Sequence, residues 1–143
     1  MVCCWKLINF HGQFIYPNPA FMTAPSKSIY FFGFYLLVTG LTLITAPNFL
    51  LSLFQIAPTT EIWIRVLGAV VVDVGFLYVY MAPAEHTLFF SLTIFARFSI
   101  LAWFTAFILL RWAPPQLILF GLIDATGAIW TYLAMKKQNE SRA

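Results

Sequence analysis

Charge is what this chain has least of. Only 9% of its 143 residues are Asp, Glu, Lys or Arg, against roughly a quarter in soluble domains, while 62% are hydrophobic. So few charges cannot furnish a water-facing surface, and the composition excludes an ordinary soluble domain in favour of a membrane protein. Cysteine is nearly as scarce. Cys3 and Cys4 are adjacent, neighbouring cysteines rarely bridge each other, and no further thiol exists to pair with them. A disulfide framework and a thiolate metal site are both excluded. The pair reads as reduced thiols at the membrane interface, with palmitoylation as the alternative. There is no glycine-rich phosphate loop, no HExxH or CxxC, and no Ser-His-Asp arrangement, so neither a complete catalytic set nor a cofactor motif can be named. His11, Glu85 and His86 fall short of the three or four converging donors a metal requires and read as solvated loop polarity.

What is present is apolar sequence in long runs. Four segments reach the roughly 17 to 25 residues needed to cross a hydrocarbon core about 30 Å thick. They cover about Ile29–Thr45, Trp63–Ala82, Leu88–Leu110 and Gln116–Met135. The first stops at Ala46-Pro47-Asn48, because proline cannot continue the backbone ladder. The following NFLLSLFQIAP is too short to span and is expected to form a short helix at the interface or across one end of the bundle. The remaining connections are short and contain proline, so consecutive helices should be antiparallel neighbours. The fold class is therefore all-α: an integral membrane up-down four-helix bundle with a short interfacial helix after the first span.

Residues 1–28 include Lys6, His11, Asn18 and three prolines. Without a sustained apolar stretch they read as an N-terminal interfacial segment rather than a secretory signal, with Met22 as an alternative start. Residues 29–135 form the transmembrane domain and 136–143 a cytoplasmic tail. The net charge of +3 rests on eight Lys and Arg, of which Lys6, Lys27, Lys136, Lys137 and Arg142 lie at the two ends. Their distribution puts both termini in the cytoplasm and gives no sign of a nucleic-acid face. Aromatic residues make up 19%, including sixteen phenylalanines. These exceed what interfacial belts need and serve either as lipid-facing filler or as the lining of a cavity.

Three charges interrupt the apolar runs near their centres. Asp73, Arg97 and Asp124 fall within about two residues of the midpoints of the second, third and fourth spans. Each costs at least about 2.5 to 3.5 kcal/mol at the bilayer centre, so all three are expected to point inward. Arg97 cannot readily lose its proton and needs a partner. Asp124, on the adjoining antiparallel span, is the expected one. Small residues and a hydroxyl, Gly121, Gly127, Ala128 and Thr131, share the face of Asp124, and Tyr80 shares the face of Asp73. With Arg65 near the end of the second span, these residues make the candidate midplane cluster: Asp73, Arg97, Asp124, Tyr80, Thr131 and Arg65. Such a layer could serve only to fix helix register.

Ala46-Pro47 after the first span, Arg65-x-x-Gly68 opening the second, Gly75 with a following Tyr, Arg97, and Asp124 ahead of Gly127 and Thr131 together resemble small bacterial four-helix membrane proteins loosely called DoxX-like. Asp73 lies outside that pattern. The resemblance covers about Ile29–Met135 and implies the fold and an inner-membrane location, but no reaction. The first expectation is a non-enzymatic protein that binds a small or lipid-like, quinone-like molecule in its polar midplane cavity, or that acts as an accessory subunit of a membrane complex or as a homo-oligomer in the lipid bilayer. Two alternatives remain open. One is an isoprenoid or sterol-like isomerase or cyclase that uses a buried Asp as its acid. The other is a proton-coupled transporter of a small cation.

Overall fold

The computed structural model describes residues 22–141. Most of the expected interfacial segment, with Cys3, Cys4 and His11, lies outside the described residues. These residues form α1 (Ala24–Thr45), α2 (Pro47–Leu53), α3 (Trp63–Met81), α4 (Thr87–Leu109) and α5 (Ile118–Glu140), with single 3₁₀ turns at Ala82–Ala84 and Pro115–Leu117. No strand occurs among them. Four helices, α1, α3, α4 and α5, are long and apolar enough to cross a membrane, which makes this a multi-pass membrane protein.

Boundaries follow local chemistry. α1 starts five residues before the expected Ile29, because Pro25 sits in its first turn, where a missing N–H costs nothing. The polar Ser26 and Ser28 that delayed the expected start are buried and satisfied, their hydroxyls donating to the carbonyls of Ala82 and Pro25 at 2.6 and 2.8 Å. Pro47 opens α2, the short helix expected after the first span. α5 continues past Met135 to Glu140, where the exposed pair Lys136 and Glu140 stands 4.0 Å apart across one turn. Glu85 has φ 50°, which turns the chain sharply between α3 and α4. Its carboxylate accepts the Thr23 N–H at 2.9 Å and so ties the start of α1 to that turn.

The spans pack as two antiparallel hairpins, α1 with α3 and α4 with α5, joined mainly through α1 and α5. Small residues set the closeness of the first hairpin. A Cβ placed on Gly40 would stand 2.8 Å from the Gly68 carbonyl oxygen, and one on Gly33 would stand 2.9 Å from the Val79 backbone nitrogen. The two backbones therefore touch almost directly, the close approach that glycine permits between membrane helices. In contrast to the expected tight neighbouring of consecutive spans, α3 and α4 share little backbone contact. Side chains fill that seam: Tyr78 meets Phe89 edge-on at 5.7 Å, within a core of Ile29, Tyr78, Ala82 and Phe90. This core lies at the end of the bundle that holds the start of α1. At the other end the chain after α2 closes over α5, with Phe54 stacked on Phe120 at 3.9 Å and Gln116 Nε2 donating to Gln55 Oε1 at 3.2 Å. Phe31, Phe34, Phe76, Phe95 and Phe98 face outward, which favours the lipid-facing reading for much of the aromatic excess.

Candidate functional site

Phe90, Thr93 and Arg97 form the buried stripe of α4. A helical side chain leans toward the N-terminus of its own helix, so the Arg97 guanidinium extends from the middle of α4 toward the well-packed end. There it meets one group from each of the other spans. Its Cζ lies 3.7 Å from the Phe32 ring centroid of α1 and 5.3 Å from the Tyr78 ring centroid of α3. Nη1 donates to Thr131 Oγ1 of α5 at 3.2 Å. Thr131 Oγ1 is also 2.9 Å from Ser28 Oγ and 2.9 Å from the Gly127 carbonyl oxygen, so a short hydroxyl chain holds it in place. Gly127 leaves the guanidinium its room. A Cβ there would stand 3.0 Å from Phe32 Cδ2 and 3.2 Å from Arg97 Nη1.

This cation is 1% exposed. Its Nε and Nη2 are buried and make no close hydrogen bond among the described residues, although the Tyr78 hydroxyl stands near enough to interact with the guanidinium. Buried donors are nearly always paired, and an unmet one costs about 1 to 3 kcal/mol, more on a charged group.

Asp124 lies on the buried face of α5 with Gly121, Ala128 and Thr131, as the helical spacing predicts. The expected pairing with Arg97 is not found. The one ion pair within 4.0 Å among the described residues is Lys136 with Glu140. Direction explains the difference. Arg97 and Asp124 start at similar depth, but α4 and α5 are antiparallel and each side chain leans toward its own helix N-terminus, so the two charged ends diverge. Asp124 remains within electrostatic reach of Arg97, Tyr35 and Tyr78.

Asp73 does not join the cluster. Contrary to the inward expectation, it is exposed on the outer surface of α3, on the same side as the exposed Ala69, Phe76 and Tyr80. α3 must turn Gly68 and Gly75 toward α1. At 100° per residue, Asp73 then points about 140° to 160° away from them. Arg65 is exposed near the start of α3, and its Nη1 donates to the Ile44 carbonyl. That is a cation on the closing turn of α1, where helix carbonyls lack partners. Of the six sequence candidates, the structure brings together Arg97 and Thr131 with Asp124 nearby, and leaves Asp73, Tyr80 and Arg65 on the outside.

Ser28, Phe32 and Tyr78 were missed by sequence reasoning. A signal for the first two existed in their i, i+4 spacing on α1, but Ser28 precedes the expected start of the span. The assembled group is a permanent cation with two unmet donors, walled by aromatic rings and shut off from water. It suits an acceptor oxygen carried on a flat or apolar body. No family model, curated protein or solved structure matches this chain.

Proposed function

We propose that this chain is a four-helix protein of the bacterial inner membrane, DoxX-like and with both termini cytoplasmic, that binds a lipid-like molecule with an acceptor head group, such as a quinone, without transforming it. The unmet Nε and Nη2 donors of buried Arg97 carry this reading. A carbonyl oxygen would satisfy them, and the Phe32 and Tyr78 rings beside the guanidinium would pack against a flat head group. In this reading a ligand would enter from the bilayer through the loosely joined seam between α3 and α4, by rotation of Tyr78 and Phe89 rather than by separation of packed backbones. Asp124 makes no direct ion pair with Arg97 and leaves its Nε and Nη2 donors open to a ligand.

Native mass spectrometry of the gently extracted full-length protein tests the proposal. Wild type should carry an apolar adduct bearing carbonyl or other acceptor oxygens. Arg97→Gln, checked for helicity by circular dichroism, should lose it. An adduct retained equally by folded Arg97→Gln would refute the site, and a wild-type protein that carries only bulk phospholipid would refute the ligand class.

A further inference from the structure

Asp73 poses a different problem from Arg97. It stands near the middle of α3 and faces outward, flanked at three and four residues by the exposed Val70 and Leu77, which are 53% and 50% accessible. In a membrane this face meets hydrocarbon, where a carboxylate is costly and is retained next to a partner of opposite charge or a hydrogen-bonding group. α3 cannot rotate to hide it, because Gly68 and Gly75 are locked against α1. A Cβ on Gly68 would stand 2.9 Å from the Gly40 carbonyl oxygen, and one on Gly75 would stand 3.0 Å from the Leu37 backbone nitrogen. Among the described residues, no hydrogen bond or ion pair reaches Asp73.

We infer that the Asp73 face of α3 is the docking surface for a transmembrane helix of a different protein, one that carries a lysine or arginine at the same depth. Charge complementarity selects this occupant over a second copy of the chain. A two-fold dimer through this face would set Asp73 against Asp73. Nor does a copy offer a cation at that depth from another face among its described residues: Lys27, Lys136 and Lys137 lie at one end of the spans, Arg65 and Arg111 lie near the other, and Arg97 is sealed inside. Ala69, one turn from Asp73 on the same exposed face, lets a neighbouring backbone approach closely. The inference is independent of the Arg97 ligand, since the two residues face opposite ways. The chain would thus be a subunit that recognises its partner within the membrane.

The test uses the full-length protein in its own membrane, with a photoreactive phenylalanine analogue placed at Val70, at Leu77, or at outward-facing Phe95 on α4 as control. The expected result is a protein adduct from positions 70 and 77 but not 95. It should fall at least tenfold with Asp73→Asn and be retained with Asp73→Glu, and sequencing of the adduct should show a span with Lys or Arg within one turn of its centre. Adducts of twice the chain mass, adducts with lipid alone, an adduct indifferent to Asp73→Asn, or a partner span without a central basic residue would each overturn it. Because Asp73 is exposed, Asp73→Asn should leave the melting temperature in detergent unchanged, which separates lost docking from lost folding.

Discussion

Replacing Arg97 with methionine tests the reading of the site through the sign of a stability change. The substitution removes one long hydrogen bond to Thr131, worth about 1.5 kcal/mol for a charged donor, and the stacking on Phe32, worth about 2 kcal/mol in a desolvated place. It also removes two buried donors that have no partner, a relief of about 4 kcal/mol at mid-range. Methionine fills much of the vacated length, and its sulfur against Phe32 returns up to about 1 kcal/mol. Thr131 is not orphaned, since Ser28 and the Gly127 carbonyl stay within reach. The balance is a gain of about 1 to 2 kcal/mol, or roughly 2 to 8 °C in melting temperature for a chain of this size. Thermal unfolding of the detergent-solubilised protein, followed by circular dichroism, measures it, and the ligand adduct should vanish in the same variant. Were Arg97 instead paired with Asp124, the substitution would strand a buried carboxylate and cost about 3 to 5 kcal/mol. A fall of several degrees would therefore refute a guanidinium with two unmet donors.

Three further expectations concern neighbouring residues. Asp124→Asn keeps the shape and removes a charge that no described residue pairs, so the melting temperature should change by less than the equivalent of about 1 kcal/mol, against the roughly 3 to 5 of a broken buried pair; ligand adducts should persist. Gly127→Ala places a Cβ 3.0 Å from Phe32 and 3.2 Å from Arg97 Nη1, and should displace the ring from the guanidinium and weaken adduct formation at least fivefold by native mass spectrometry, at a stability cost of about 1 kcal/mol. Gly40→Leu pushes α1 off α3 where backbone meets backbone. It should cost about 3 kcal/mol or more and lower the melting temperature by at least 5 °C.

The spans were legible because hydrophobic length and proline are local properties. Pro47 ended the first span, as read from sequence alone, and in the structure it also opens the short helix expected from Asn48 onward. What failed was direction. Counting residues from helix ends gave Arg97 and Asp124 the same depth, but depth locates Cα atoms, and on antiparallel helices long side chains leave those atoms in opposite senses. For Asp73, the cost of a charge in hydrocarbon led to an inward assignment, but that cost does not say which side of α3 packs against the bundle. Gly68 and Gly75 held the missing information, since their spacing marks the side of α3 that touches another backbone, and Asp73 is on the other side. The aromatic wall of Arg97 carried no sequence mark, because Phe32 and Tyr78 are two among many rings.

The shell around Arg97 draws one residue from each of the four spans: Phe32, Tyr78, Arg97 itself and Thr131. Translation delivers those spans in order. The α1–α3 hairpin can close as soon as its second helix is inserted, but the guanidinium lacks its Thr131 hydroxyl until α5, the span made after α4, arrives. Insertion of α4 is thereby coupled to the span made after it as well as to the two made before it, and a chain stalled after α4 leaves a bare cation for quality control to find. Because the two hairpins meet chiefly through α1 and α5 rather than across the α3–α4 seam, fragments 1–84 and 85–143 made together should reassemble and co-purify, and Arg97→Met should make that reassembly less dependent on the timing of their synthesis.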